Sequence, residues 1–98
     1  MKYKIAVAIL NWNGKDLLEK YLPSVIEHSK EHSVYVIDND SDDDSVAYIE
    51  SKLPEIKIIQ TGENLGYAGG YNKGLKGIKE EFAVLLNSDV RTTLGWLD

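Results

Sequence analysis

The sequence contains no cysteine, only two prolines, and no long apolar segment at its N-terminus. Without cysteine the chain can form neither disulfides nor cysteine–zinc sites, which fits a reducing compartment. The apolar run Ile5–Leu10, which follows Lys2 and Lys4, is too short for a signal-peptide core or a membrane span. We therefore expect a soluble, cytoplasmic protein.

Positive charge is also scarce. The chain has 11 Lys and Arg residues against 16 Asp and Glu residues, which gives a formal net charge of −5. This balance excludes a general basic surface for nucleic acid or for an anionic membrane. An anionic ligand would have to be held locally, by backbone amides, by a metal ion or by one well-placed cation.

With 98 residues, of which 43% are hydrophobic, the chain is long enough for one domain. The chain contains four short apolar runs. Each is rich in β-branched or bulky residues and lacks a regular alternation of polar and apolar residues. This pattern is typical of strands that are buried on both faces of a parallel sheet. The four runs are Ile5–Leu10, Val34–Ile37, Ile56–Ile59 and Phe82–Leu86.

The segments between these runs place apolar residues at helical spacing. The three stripes are Leu17, Leu18, Tyr21, Leu22, Val25 and Ile26, then Val46, Ile49 and Leu53, then Ala68, Tyr71, Leu75 and Ile78. Pro23 is expected to kink or split the first helix, and Pro54 is expected to end the second. The alternation predicts an α/β fold, a Rossmann-like parallel sheet in the order 3-2-1-4 with helices on both faces.

In open parallel sheets, ligands bind beyond the carboxyl ends of the strands. All four segments that follow the predicted strands are polar and rich in Asn, Asp and Gly. They are Asn11–Gly14, Asp38–Ser41, Thr61–Gly66 and Asn87–Asp89. Loops often have this composition, but four such loops on one rim of the sheet indicate a binding site.

The first two of these loops carry groups suited to a nucleoside. Trp12 could stack on a nucleobase, with Asn11, Asn13 or backbone groups reading the edge of the base. Alternatively, Trp12 packs against the rim of the sheet and Asn13 caps the following helix. Asp38 and Asn39 stand at the end of the second strand, where a carboxylate or an amide can bind a base or a ribose.

The segment Asp38–Asp44 holds five aspartates in seven residues, with the 1-3-5 spacing of a calcium loop. The sixth and twelfth positions, Asp43 and Ile49, lack the required Gly and Glu, so an EF-hand is excluded. The later aspartates suit the positive end of the second helix, which Ser41 or Asp42 can cap.

Six of the eight glycines lie between residues 62 and 77. Four of them fall within the third helical stripe, where each costs up to ~1 kcal/mol relative to Ala. Close approach of a ligand or of another backbone would offset that cost. A helix N-terminus at Gly66–Gly70 would also direct N–H groups at a diphosphate. Neither a dinucleotide-binding glycine motif nor a P-loop motif occurs.

Asp89 is a carboxylate that follows the most apolar strand. A hard divalent cation bound together with a diphosphate often needs just one or two protein carboxylates, so Asp89 is a candidate metal ligand; alternatively, it is a turn residue. The sequence then ends soon after Trp96 and Leu97, two large apolar residues, which predicts a truncated domain.

Taken in order, the four loops resemble those of family 2 glycosyltransferases with the GT-A fold, in particular the bacterial branch of rhamnosyltransferases and galactofuranosyltransferases. The resemblance covers essentially the whole chain. ILNWNG is similar to the first-strand signature of that branch, and VIDNDSDDDS resembles V-D-N-x-S-x-D-x-S. ENLGYAGGYNKG resembles N-x-G-[FY]-A-x-G-x-N-x-G, and LLNSDV stands at the D-x-D motif, with Asn87 at its first position.

The resemblance implies a set of site residues. Those assigned to the donor nucleotide are Asn11, Trp12, Asn13, Asp38, Asn39, Asn64, Gly66, Gly69, Asn72 and Asn87, and Asp89 is assigned to Mg²⁺ or Mn²⁺. The implied reaction is inverting transfer of a sugar from a UDP- or dTDP-linked donor to a hydroxyl of a glycan or lipid-linked acceptor, in polysaccharide synthesis.

The catalytic base and the acceptor-binding segments of that family lie downstream of the D-x-D motif. Residues 1–98 are therefore expected to be the nucleotide-sugar-binding portion of the catalytic domain, with no catalytic residue of their own. Such a fragment should bind the donor without transferring sugar, and should self-associate through an exposed strand edge or apolar patch.

Two other functions remain as alternatives. One is a non-catalytic module that binds a nucleotide sugar. The other is a phosphoacceptor receiver domain, which is also a small α/β unit. A receiver domain would need an acidic pair after the first strand and an Asp after the third, where this sequence has Asn11–Asn13 and Thr61-Gly62.

Overall fold

The structure, a computed structural model that describes residues 5–86, alternates strand and helix along the chain. The elements are β1 (Ile5–Asn11), α1 (Lys15–Glu27), β2 (Ser33–Asp38), α2 (Ser45–Lys52), β3 (Lys57–Gln60), α3 (Gly66–Leu75) and β4 (Phe82–Leu86). The four strands form one sheet in the order β3-β2-β1-β4, with every neighbouring pair parallel. The predicted alternation, strand order and strand direction are confirmed.

Helices cover both faces of the sheet. Successive residues of a strand point to opposite faces, so β1 contributes side chains to a core on each side. On one face, Val7 and Ile9 of β1 belong to a core with Leu18 of α1 and Ile49 of α2. On the other face, Ala8 and its neighbours pack with α3. The predicted three-layer arrangement is therefore confirmed.

The two outer strands are less buried than the sequence predicts. Every residue of β2 is buried, whereas β3 has no fully buried residue and β4 has only Leu86. Phe82 is 50% exposed and Leu85 is 47% exposed. The prediction that all four strands are buried on both faces is wrong for β3 and β4. Within residues 5–86 each of these strands has a strand neighbour on one side only, and α3 contacts β1 and β2.

Pro23 lies inside α1, which runs unbroken to Glu27. The prediction was that this proline kinks or splits the helix, and the split does not occur. Leu22 and Val25, on either side of Pro23, are each only 1% exposed, so their burial holds the segment in place despite the missing N–H. The second helix ends at Lys52, shortly before Pro54, as predicted.

The glycines of α3 allow the helix to lie very close to the sheet. A Cβ atom on Gly74 would stand 2.5 Å from Ile37 Cδ1, and one on Gly70 would stand 2.7 Å from Leu10 Cδ1. The predicted cause, close approach of a ligand or of another backbone, is wrong at both positions. The space is taken by side chains of β1 and β2.

Candidate functional site

A buried polar network joins the carboxyl ends of β1 and β2. Asn11 donates its side-chain amide to Asp38 Oδ1 at 2.9 Å and to the Ser41 hydroxyl oxygen at 3.1 Å. Ser41 donates its hydroxyl to Asp38 Oδ1 at 2.7 Å and its N–H to Asp38 Oδ2 at 3.0 Å. Asn11 is 1% exposed and Asp38 is 2% exposed. Both side chains are thus occupied by partners within the protein.

Asn13 makes a second connection between the same two loops. Its Oδ1 accepts hydrogen bonds from the N–H groups of Asp42, at 2.6 Å, and Asp43, at 3.2 Å, and its own N–H donates to the Ser41 hydroxyl oxygen at 2.9 Å. Asn13 has a positive φ of 51°, a conformation that Asn tolerates better than most residues. The alternative in which Asn13 caps α1 is therefore wrong.

The start of α2 is held by Asp43. Its carboxylate accepts hydrogen bonds from the N–H and the hydroxyl of Ser45, and from the N–H of Lys15 at 3.1 Å. Burial favours a higher pKa for Asp43, but these hydrogen bonds and the charge of Lys15 outweigh it and lower the pKa below its ordinary value. The prediction that Ser41 or Asp42 caps α2 is wrong: the N-cap residue is Asp44, which makes no side-chain capping hydrogen bond, and Asp43 before it binds the N–H of Ser45.

Asn39 joins the end of β2 to the loop that precedes α3. Its Nδ2 group donates to Asn64 Oδ1 at 3.2 Å and to the carbonyl oxygen of Gly66 at 3.0 Å. Its Oδ1 accepts hydrogen bonds from the Thr61 hydroxyl at 2.9 Å and from the Leu65 N–H at 3.2 Å. Asn39 is 1% exposed, and its amide uses both of its donors and both of its acceptor positions.

The N-terminus of α3 is already partly satisfied by side chains. Asn64 Oδ1 accepts a hydrogen bond from the N–H of Gly66 at 3.0 Å, so this N–H is directed at Asn64. Gly66 has a φ of 74°, in the left-handed region that favours glycine. The expectation that N–H groups at Gly66–Gly70 face a diphosphate therefore fails for Gly66 itself.

The candidate site residues divide into a buried and an exposed layer. Asn11, Asp38 and Asn39 are buried, whereas Trp12, Asn13, Asn64, Gly66 and Asn72 are exposed and Gly69 is half-buried. Trp12 is 52% exposed, so about half of its surface is open to solvent. Asn87 and Asp89 lie outside the described residues.

Three residues of this region were not identified from the sequence as site residues. The Ser41 hydroxyl bonds to Asn11 and Asp38, and the Thr61 hydroxyl bonds to Asn39. Lys73 donates its Nζ to the carbonyl oxygen of Thr61 at 2.7 Å, which brings a cation to the loop before α3. Two signals in the sequence could have identified them: Thr61 directly follows β3, and Ser41 lies in the loop after β2 and matches the first Ser of V-D-N-x-S-x-D-x-S.

Within residues 5–86, no three His, Asp or Glu side chains come together in a group that could hold a metal ion. Over the same range, no helix has the length and apolar character needed to cross a membrane.

A family model described as glycosyl transferase family 2 matches residues 6–98. No curated protein sequence matches the chain at a significant level. Among solved structures, a mannosyltransferase from Pyrobaculum calidifontis, in complex with GDP-Man and Mn²⁺, is similar with a TM-score of 0.81 at 20% identity. That match covers 93% of this chain and 29% of the mannosyltransferase.

Two structures of S. aureus TarS 1-349, one in complex with UDP and one with UDP-GlcNAc, each match with a TM-score of 0.75 at 26% identity. They cover 88% of this chain, which in turn spans 27% and 26% of the two TarS chains. The likeness to these glycosyltransferases confirms the predicted Rossmann-like α/β fold. The chain spans well under a third of the length of each of these structures.

Proposed function

The chain belongs to glycosyl transferase family 2, and we propose that the carboxyl edge of its sheet binds the nucleotide of a nucleoside-diphosphate sugar. The observation that carries this proposal is the network in which Asn11, Asp38 and Asn39 join three loops at this edge, where Trp12 is exposed. This edge is where open parallel sheets bind ligands. The S. aureus TarS complexes with UDP and UDP-GlcNAc support a nucleotide sugar as the ligand.

We assign the nucleobase to the exposed layer of the site. Trp12 is an aromatic side chain, 52% exposed at the end of a central strand, and its indole offers a stacking face. The exposed side chains of Asn13 and Asn64 lie in the loops on either side of the β2 end. Their Oδ1 atoms accept hydrogen bonds within the protein, so we assign their side-chain N–H groups to the edge of the base or to the ribose.

The buried layer serves the same site by holding these loops in place. Because the polar atoms of Asn11, Asp38 and Asn39 already have partners in the protein, their role is to position the rim before the ligand arrives. When the loops are already ordered, ligand binding does not have to immobilise them, so less of the binding free energy is lost.

We assign the diphosphate to the side of the site on which Asp89 follows β4 in sequence, together with Mg²⁺ or Mn²⁺. When bound, the cation would neutralise charge on the diphosphate, which a chain of net charge −5 otherwise does poorly. The Mn²⁺ in the Pyrobaculum calidifontis complex is consistent with this. The loop resemblance to rhamnosyltransferases and galactofuranosyltransferases favours UDP or dTDP as the nucleotide, carrying a hexosyl or deoxyhexosyl group.

The reaction that we propose for the whole catalytic domain is inverting transfer. A carboxylate base takes the proton of an acceptor hydroxyl on a glycan or lipid-linked acceptor, the hydroxyl oxygen bonds to the anomeric carbon, and the bond from that carbon to the diphosphate breaks. In this scheme residues 1–98 bind the donor, and none of the residues described above is assigned the role of the base.

Calorimetric titration with UDP and dTDP, with and without Mn²⁺, tests the proposal directly. We expect weak binding that Mn²⁺ strengthens. Asp89→Ala should lose the Mn²⁺-dependent part and keep the rest, whereas Glu50→Ala, an exposed carboxylate on α2, should change nothing. Binding that does not respond to Mn²⁺, or a response that survives Asp89→Ala, would show the assignment of Asp89 to be wrong.

The base contact is tested by Trp12→Ala and Trp12→Phe in the same titrations. Loss of base stacking should weaken UDP binding by about 1–3 kcal/mol in Trp12→Ala, and Trp12→Phe should keep part of it. Because Trp12 is half exposed, neither change should greatly alter the free energy of unfolding.

A non-catalytic nucleotide-sugar-binding module is the second candidate, and it predicts the same titrations. An assay of sugar transfer by the natural protein distinguishes the two candidates, since an enzyme transfers sugar from UDP- or dTDP-linked donors and a binding module does not. Transfer by residues 1–98 alone would show that the base lies within this chain. The match to glycosyl transferase family 2 leaves a receiver domain without support.

A further inference from the structure

One hydroxyl of α3 connects the carboxyl ends of β1 and β4. The Tyr71 hydroxyl accepts a hydrogen bond from the Leu10 N–H at 3.2 Å and donates to the carbonyl oxygen of Leu86 at 3.2 Å. Leu10 is the penultimate residue of β1 and Leu86 is the last residue of β4. Tyr71 is 4% exposed, so water does not compete freely for these bonds.

The close seating of α3 is what brings this hydroxyl to the strand ends. Gly70, next to Tyr71, leaves room for Leu10, since a Cβ atom there would stand 2.7 Å from Leu10 Cδ1. The first residue of the same helix, Gly66, is tied to the end of β2 because its carbonyl oxygen accepts a hydrogen bond from Asn39 at 3.0 Å. A single helix thus holds the ends of β2, β1 and β4 together.

These strand ends lead into the two sides of the proposed donor site. β1 leads into Trp12, assigned to the base, and β4 is followed in sequence by Asn87 and Asp89, assigned to the diphosphate and its cation. We propose that Tyr71 is a positioning residue, which fixes the two strand ends relative to each other so that one nucleoside diphosphate can reach both sides. This inference rests on the proposed function.

The physical reason lies in the size of the ligand. A ligand that spans two loops binds well only when the distance between them is already set, because otherwise binding must also order the loops. A ligand that touches one loop does not carry that cost. Loss of the Tyr71 hydroxyl should therefore weaken a spanning ligand and spare a short one.

Tyr71→Phe removes only the hydroxyl. We expect calorimetry to show about three- to tenfold weaker binding of UDP with Mn²⁺. Uridine, which has no phosphate, should bind the variant and the wild type equally in an NMR titration. In an Asp89→Ala background, Tyr71→Phe should have no further effect on UDP affinity, because the metal side is then already lost.

Tyr35→Phe is the matched control. Tyr35 is also 4% exposed, and its hydroxyl donates to Glu80 Oε1 at 2.7 Å, near the amino ends of the strands. Both variants should lose similar amounts of stability, yet Tyr35→Phe should keep the affinity for UDP with Mn²⁺. Equal losses of UDP affinity in the two variants, or equal losses of uridine and UDP in Tyr71→Phe, would reduce Tyr71 to a structural role.

Hydrogen exchange tests, without any nucleotide, whether the two hydrogen bonds of the Tyr71 hydroxyl hold the ends of β1 and β4 together; we call these two bonds the clamp. The Leu10 amide should exchange several-fold faster in Tyr71→Phe, by local opening, while the amide of Val36 in the centre of the sheet follows global unfolding in both proteins. Unchanged exchange at Leu10 would overturn the inference. If the wild type binds no nucleotide but exchange at Leu10 responds, the proposed function fails and the clamp stands as an element of the fold alone.

Discussion

Asn11 donates its side-chain amide to Asp38 Oδ1 at 2.9 Å, and the two residues, 27 positions apart in sequence, end neighbouring parallel strands. The two residues are the last pair in the register of β1 and β2, and the loops of the two strands begin directly after them. The bond connects the two loops that follow β1 and β2. The Ser41 hydroxyl strengthens this connection, because it accepts a hydrogen bond from Asn11 and donates one to Asp38.

Asp38→Asn should destabilise the protein by about 1–3 kcal/mol. The Asp38 carboxylate accepts from Asn11 and twice from Ser41, and an amide in its place would turn an N–H donor toward one of these donors. Chemical denaturation followed by circular dichroism measures the change. Asp42→Asn makes the same substitution on an exposed side chain of the same loop, and equal losses in both variants would contradict this account.

Gly74→Ala should destabilise the protein by about 1–3 kcal/mol, although Ala is the better helix former by ~1 kcal/mol. The new Cβ would stand 2.5–2.6 Å from three side-chain atoms of Ile37, which is fully buried and has no room to withdraw. Thermal unfolding measures the loss. The double variant Gly74→Ala/Ile37→Val should recover part of it, because valine lacks the Cδ1 atom that lies nearest. A Gly74→Ala variant as stable as the wild type would show that α3 can move off the sheet.

Near the amino ends of the strands, Glu80 binds two hydroxyls and faces a lysine. Ser33 and Tyr35 donate to its carboxylate at 2.6 and 2.7 Å, and Lys57 Nζ lies 4.0 Å away. Burial favours a higher pKa for Glu80, but the two hydrogen bonds and the lysine outweigh it, so the pKa lies below its ordinary value of 4.5. Burial, and then Glu80 itself, raise the pKa of Tyr35 above 10.0.

These shifts predict the pH dependence of stability. A lowered carboxylate pKa contributes stability that is present above about pH 4.5 and is lost as the pH falls through the folded-state value. The raised pKa of Tyr35 contributes stability that is present below about pH 10.0 and is lost above it. Glu80→Gln should cost about 1 kcal/mol at pH 7 and flatten the acid limb in urea denaturation series. Glu81→Gln changes the exposed neighbour and should keep the wild-type dependence of unfolding free energy on pH. If both variants lose stability in acid as steeply as the wild type does, Glu80 is not the group responsible.

The exposed side chains of β4 lead us to expect self-association into a dimer through this strand. Leu85 is 47% exposed on a strand at the end of the described sheet, and such strands readily pair with a second copy. Sedimentation velocity over a concentration series should show a dimer that Leu85→Lys abolishes. Leu17→Lys changes a leucine that is 40% exposed on α1, and should leave the dimer intact. A wild type that stays monomeric at high concentration would refute the expectation.

The fold could be predicted largely from local pattern. Val34–Ile37 lies inside β2, because a strand that is buried on both faces needs consecutive apolar residues. The run Phe82–Leu86 coincides with β4, although only Leu86 of that strand is buried. Pro23 misled the prediction because a local helix breaker was weighed without the buried leucine and valine beside it. The burial of β3 and β4 was overestimated because a strand's own residues do not tell whether it has one neighbour or two.

For the candidate site, the sequence by itself determined which loops carry amides, carboxylates and glycines, since the strand pattern places all of them at one edge of a parallel sheet. Only the tertiary structure decided which of these side chains are occupied. Asn39 uses its whole amide on residues 61–66, and Trp12 is 52% exposed. Such bonds depend on strand register and on how closely a helix sits on the sheet, and both arise from contacts between residues that are far apart in sequence.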